Sequence, residues 1–463
     1  MAKGNSKPTH QAVTPSRIRQ VRGSSEMMLY NRISEQLPAW RERVAKLLKD
    51  HGNYKVCDVT VDQIYGGIRG VQIQVSDISY VDPQEGIRLR GLTIPELLNV
   101  LPKAPGSEYP LLGGLYYLLM VGKVPTIEEA NTVEDDWKCR SEVPGYVFDV
   151  IKSLPHNTHP MTMFSLAILA MQNESEFLRL YDAGMMKTDY WEPYLEDSLN
   201  LTAKLPTIAA YIYNLKYRSA DYIQPNPNLD WGGNFAYMIG KGIDGEYQDL
   251  CRLYLLLHSD HEGANVSAHA THLVATALAD VYYACSAGMD GLAGPLHGVA
   301  NQECLRWLLT LRNEFNGIPT KEQFTKYAWQ ELKAGKVIPG YGHAVLRITD
   351  PRFTALYDFI EKHFPNYELF KLVQLVYEVL PGVLTQFGKV KNPWPNVDAI
   401  NGTTQYYYGI KGFDFYTVLF GVSRILGLTS HVVWARALGK PIERPKSLTT
   451  SMLEQMVLTN GTN

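Results

Sequence analysis

A mainly α protein is predicted by three features of the sequence. Apolar residues recur at helical spacing along most of the chain, a convincing strand pattern occurs only once, and its 463 residues exceed what one small core holds. Leu29, Ile33, Leu37, Val44 and Leu47 predict a first helix that Gly52 stops and Pro38 kinks, because proline removes a backbone donor. Val71, Ile73 and Val75 alternate, followed by Ile78 and Tyr80, the turn Asp82-Pro83-Gln84-Glu85-Gly86, then Ile87 and Leu89. This reads as a small β-hairpin region. Beyond it the pattern predicts helices over 201–213, 247–257, 272–287, 299–313 and 413–426. Their apolar blocks are wider than one stripe, so several of these helices should be buried all round. Glycine-rich turns bound the 299–409 segment, which reads as a smaller inserted domain. The predicted organisation is a basic segment over 1–25, a large helical domain over 26–298 and 410–463, and the small domain between them.

Composition narrows the function classes. Hydrophobic residues make up 45% and charged residues 20%, an ordinary globular profile. A net charge of −3 carries no footprint for nucleic acid or an anionic membrane, so an anionic ligand must be held by a local basic cluster. The five cysteines are scattered and never in C-x-x-C spacing, which favours free thiols. No run of 18 apolar residues occurs, and the apolar stretches 109–121 and 416–428 are too short to span a bilayer. Residues 1–25 are basic and free of acids, the composition of a mitochondrial import segment or of a plain basic tail.

Three stiffened turns each carry an acid–base group. They are Gly294-Pro295-Leu296-His297-Gly298, Pro339-Gly340-Tyr341-Gly342-His343 and Asn392-Pro393-Trp394-Pro395-Asn396-Val397-Asp398. One carboxylate and two imidazoles suit proton abstraction beside a carbonyl, with one base and two donors. Pro295 marks a helix start, which puts His297 in a first helical turn where the macrodipole favours the neutral ring. Gly340 and Gly342 would let the backbone approach a ligand closely. Taken singly, each turn has a plainer reading: a packing histidine, a tight turn, an Asx-turn aspartate. His258, His261, His269 and His272, with Glu262 between them, invite a metal site, but no H-E-x-x-H is present and Gly263 interrupts the run. Arg424 interrupts an apolar helix, where an unpaired guanidinium is costly, so it should hold an anion. Arg347, Arg352 and Arg444 add to a basic set suited to a dicarboxylate or a phosphorylated cofactor.

Taken together, Tyr65–Gly70, His258–Asn265, Gly291–Gly298, Val337–Arg347, Asn392–Asp398, Gly421–Gly427 and Glu443–Ser447 resemble the eukaryotic citrate synthases, in family order from about residue 29 to 457. The resemblance implies a mainly α, two-domain homodimer of the mitochondrial matrix that condenses acetyl-CoA with oxaloacetate. It needs no metal and no cofactor, since acetyl-CoA is a substrate, and it implies neither a nucleic-acid nor a membrane partner. It assigns Asp398 as base, His297 as donor to the thioester oxygen and His343 as donor to the oxaloacetate ketone. Oxaloacetate would be held by His261, His343, Arg352 and Arg424, with Arg444 coming from the partner subunit. CoA would lie along Val337, Gly340 and Tyr341, near Arg69, Arg347 and Asn396. Lys187 stands where close relatives have arginine, so a phosphate contact there keeps its charge but not its geometry. Three alternatives differ in test: a 2-methylcitrate synthase using propionyl-CoA, a metal hydrolase on the histidine cluster, and a filament protein on a synthase scaffold.

Overall fold

The structure is a computed structural model and describes residues 28–220, 222–242 and 244–460. The basic segment 1–25 lies outside the described residues. The chain is mainly α, as the periodicity predicts. Helix α1, Met28–His51, runs through Pro38 and ends just before Gly52. It buries Leu29, Tyr30, Ile33 and Leu37 at helical spacing, while Leu47 and Leu48 in its last turns are exposed.

The strand region forms three short antiparallel strands in sequence order: β1 Ser79–Asp82, β2 Gly86–Leu89 and β3 Leu92–Thr93. The β1–β2 register pairs Tyr80 with Arg88 and Val81 with Ile87. The tight turn works because Asp82 Oδ1 accepts the N–H groups of Gln84 and Glu85, and Gly86 takes φ +88°. The expected strand through Val71, Ile73 and Val75 does not form. These side chains line an open cavity with Leu273 and Ile442, and among the described residues no strand lies alongside to pair with them.

Several helices build the frame of the site. They are α2 Trp191–Tyr213, α3 Gly245–Leu257, α4 Val266–Thr276, α5 Val281–Leu292 and α6 Ala300–Glu314. After them come α7 Lys321–Lys333, α8 Pro351–His363, α9 Glu368–Phe387, α10 Asp398–Tyr407 and α11 Tyr416–Ala437. The single helix expected over 272–287 is two, α4 and α5. The chain breaks at Leu278 (φ +62°), and Asp280 caps the second helix by accepting the N–H groups of Tyr282 and Tyr283. Helix α11 runs eleven residues past the expected end at 426, to Ala437. By length and composition, 413–437 is the one described segment able to cross a membrane, yet it is almost wholly buried inside this protein. It packs against α2, α3, α4 and α5 and so forms the central strut of the frame. Helices α6 to α10 pack on one another, α6 against α9 and α10, α7 against α9, and α8 against α10. One continuous apolar cluster runs through both sets.

Candidate active site

His297 sits in the turn between α5 and α6. Pro295 does not open a helix: His297 N–H and Gly298 N–H both close back on the Gly294 carbonyl, and α6 starts at Ala300. The positive helix end near the imidazole belongs instead to α4. Ser267 N–H, in the first turn of α4, donates to His297 Nε2 at 3.2 Å, with Ser267 Oγ at 3.0 Å. A backbone N–H can only donate, so Nε2 holds a lone pair and the ring proton is on Nδ1. Burial, with Arg424 nearby, pushes the imidazole down to about 4, so it is neutral at physiological pH.

His343 carries the opposite tautomer. Its Nδ1 accepts the N–H groups of Val345 and Leu346, both at 3.0 Å, which places the ring proton on Nε2. Burial and Arg352 lower this ring to about 4 as well. Its ring meets that of His261 edge-on at 5.6 Å. His261 itself is driven well below the usual histidine range by burial, then by Arg352, Arg424 and His343.

Asp398 is the first residue of α10, and its N–H donates to Asn396 Oδ1 at 2.9 Å. Burial raises its carboxyl to about 6, against the pull of Arg352 and helped by the charge of Asp350. The loops carrying Asp398 and His343 are laced together. Gly342 N–H donates to the Trp394 carbonyl at 3.2 Å, Asn396 N–H to the Gly340 carbonyl at 2.9 Å, and Asn396 Nδ2 to the Gly342 carbonyl at 3.0 Å. Gly340 has φ +80°, and a Cβ there would lie 2.7 Å from Ala399 Cα. The close approach at Gly340 is therefore to helix α10; a ligand does not account for it.

Two buried arginines tie these groups into one field. Arg352 Nε and Nη2 donate to Asp350, whose Oδ2 also accepts the N–H of Val397 at 3.2 Å, next to Asp398. Arg352 perturbs His261, His343 and Asp398 together. Arg424 is only 1% exposed, and the guanidinium donates to the His258 carbonyl at 3.0 Å and to Asn265 Oδ1 and Ser267 Oγ at 3.4 Å. It has no carboxylate partner among the described residues, and burial lowers it to about 10, where it stays charged. A buried cation so placed is completed by an anion.

The remaining site residues are placed differently. Arg444 is exposed on the extended segment after α11 and makes none of these contacts within the chain. Arg69 and Lys187 are exposed, and Val337 is 85% exposed at the entrance to the Gly340 loop. Arg347 folds its Nη1 onto the carbonyls of Val345 and Leu346 at 2.9 and 2.7 Å. Tyr341 turns its hydroxyl inward, where it is buried with no hydrogen-bond partner among the described residues, and burial pushes its ionisation well up. The histidine run diverges rather than converging. His258 donates through Nδ1 to the Tyr254 carbonyl and pairs through Nε2 with Asn401, whereas His269 and His272 turn to Glu443. Among the described residues no cluster of His, Cys, Asp or Glu is arranged to hold a metal ion.

Asn265, Ser267, Asp350 and Asn401 were not anticipated as parts of the site. Asp350-Pro351 did carry a readable signal, a helix cap followed by proline at the first helical position. Ser267 carried none, since it meets His297, through its N–H and its Oγ, only once α4 is folded against the 294–298 turn thirty residues later.

Comparison with known proteins places the chain in a family. The family model described as "Citrate synthase, C-terminal domain" matches residues 67–446. A protein of Glossina morsitans morsitans named probable citrate synthase, mitochondrial, is 50% identical over 94% of this chain and 93% of its own length. The Saccharomyces cerevisiae protein named citrate synthase, mitochondrial, is 50% identical over 94% of this chain and 90% of its own. A crystal structure of citrate synthase from Pyrobaculum aerophilum superposes with a TM-score of 0.72 at 27% identity, covering 83% of this chain and 92% of that one. The chain is an enzyme that belongs to the citrate synthase family.

Proposed function

We propose that this enzyme condenses acetyl-CoA with oxaloacetate and water to give citrate and free CoA, as a homodimer in the mitochondrial matrix. The location follows the names of its relatives and the basic composition of residues 1–25. The observation that carries the reading is the pair of neutral imidazoles with opposite tautomers in one field with a carboxyl raised to about 6.

Oxaloacetate brings two carboxylates to a pocket whose fixed charges are Arg352 and Arg424, with Arg444 supplied by the other subunit. His343 Nε2–H then donates to the ketone oxygen and polarises it. Asp398, ionised above about pH 6, takes a proton from the acetyl methyl group of the thioester. His297 Nδ1–H donates to the thioester oxygen as charge develops there. Neither action suffices alone. An ordinary carboxylate is a weak base, so abstraction requires the donor at the same moment; general-base help is worth about 10²–10⁴ in rate and an oxyanion donor about 10²–10³. The resulting carbon nucleophile attacks the ketone, whose oxygen takes the His343 proton, and water then releases CoA from the citryl thioester. No metal or cofactor enters this sequence.

CoA is assigned to the 337–343 backbone, near Arg69, Lys187, Arg347 and Asn396. Because the Arg347 and Asn396 side chains already hold the loop, backbone groups are the better candidates for direct contact. The 299–409 domain is assigned the closing motion that keeps water from the enolate. A thiol-release assay tests the reading: release from acetyl-CoA should require oxaloacetate, and kcat/KM should favour acetyl- over propionyl-CoA. Release that is independent of oxaloacetate would refute condensation, and preference for propionyl-CoA would make the chain a 2-methylcitrate synthase.

A further inference from the structure

Beyond α11 the chain runs extended through 441–449, and Glu443 is the one residue there that is not exposed. Its N–H donates to Thr276 Oγ1 at 3.1 Å. Its carboxylate accepts from His269 Nε2 at 2.9 Å, and His272 Nε2 lies 3.7 Å from its other oxygen. No other hydrogen bond reaches 441–448 among the described residues. Thr276, His269 and His272 all belong to α4, the helix whose first turn holds His297 through Ser267. The next residue after the anchor, Arg444, is exposed.

We propose that Glu443 is a positioning residue: docked on α4 by Thr276, His269 and His272, it fixes the strap from which Arg444 reaches the oxaloacetate of the other subunit. This rests on the synthase reading and on Arg444 acting across the dimer. An arginine on an unpinned segment gives up backbone and side-chain freedom each time it grips a substrate, and pinning its neighbour removes much of that loss in advance. The lower half of the histidine run thus has a use without a metal. One helix mounts the thioester donor of its own site and the carboxylate ligand of the neighbouring site.

The test uses the full-length dimer, with Glu443→Ala, Glu443→Gln and Arg444→Ala compared in steady-state assays. Loss of the anchor should raise the KM for oxaloacetate about tenfold, the order expected for re-ordering about one residue of backbone, while the KM for acetyl-CoA stays nearly constant. Glu443→Gln keeps length and one acceptor, and should recover most of the affinity. His269→Gln, which trims the anchor without touching the strap, should give a smaller shift in the same direction and serves if Glu443→Ala does not fold. Hybrid dimers, purified by two tags from subunits bearing Glu443→Ala and Asp398→Asn, decide the direction of action. Their only competent site receives Arg444 from the subunit with an intact anchor, so its KM for oxaloacetate should return to the wild-type value. A hybrid KM equal to that of the Glu443→Ala homodimer would overturn the proposal. An unchanged KM in both anchor variants, with a raised one in Arg444→Ala, would also overturn it. An unchanged KM in Arg444→Ala would instead refute the reading on which it rests.

Discussion

Replacing Asp398 with asparagine should abolish turnover and at the same time stabilise the fold. The carboxyl rises from 3.8 to about 6 because burial disfavours its charged form. The folded state therefore holds its proton more tightly than the unfolded chain does, and ionisation above pH 6 works against folding. A rise of about two pH units corresponds to about 3 kcal/mol at pH 7.5, by the linkage between pKa and stability. The position opposes part of this, since a carboxylate in the first turn of α10 gains about 0.3–1 kcal/mol from the helix dipole. Burial outweighs the dipole, so Asp398→Asn should be more stable by about 2 kcal/mol at pH 7.5. The sign of the linkage fixes the pH dependence: the gain should be smaller at pH 5 and vanish only below about pH 3, where the carboxyl is neutral in both the folded and the unfolded state. Denaturant unfolding at fixed dimer concentration, repeated at pH 7.5 and pH 5, measures this directly. Calorimetric titration with oxaloacetate should show nearly unchanged affinity. A variant less stable at pH 7.5, or a gain that does not shrink on acidification, would refute the idea that the base is held in a destabilising site for the sake of its basicity.

Further outcomes follow from the same contacts. The kcat/KM should rise through about pH 6 as Asp398 ionises and show no ionisation of His297 or His343 near neutrality, since both stay neutral above about 4; pH-rate profiles check this. Arg424→Ala should weaken oxaloacetate binding by about 1.5–3 kcal/mol, seen calorimetrically, because a charge-assisted bond is lost. Gly340→Ala should lower kcat and destabilise the fold by more than about 1 kcal/mol, since a non-glycine residue would be held at positive φ. Its Cβ would also press on the backbone of α10 beside Asp398, so thermal melts and turnover should fall together.

Much of the frame was legible because local chemistry agreed with the global fold. The Asp82–Gly86 turn carried its own instructions, an aspartate to accept two backbone N–H groups and a glycine at positive φ. Arg424 was legible as a guanidinium in an otherwise apolar helix, and it is buried without a carboxylate partner among the described residues. Other features depend on contacts the sequence does not encode locally. Pro295 gave a helix-start signal, but the turn closing on the Gly294 carbonyl took precedence. The dipole expected to keep His297 neutral is present, yet it comes from α4, thirty residues earlier, through a backbone N–H that any residue type but proline could supply. Leu278 adopts positive φ with no glycine to announce the break between α4 and α5. The alternation of Val71, Ile73 and Val75 looked like a strand, but a strand also needs a neighbour, and none is there among the described residues.

The mechanism turns on which ring nitrogen of each histidine carries the proton, and neutron diffraction from deuterated crystals reads that out. Deuterium should appear on Nδ1 of His297 and on Nε2 of His343 at neutral pH, with the other nitrogen of each ring bare. Deuterium on both nitrogens of either ring, or the reverse tautomer in either, would remove the donor from the face where the reaction needs it and contradict the mechanism.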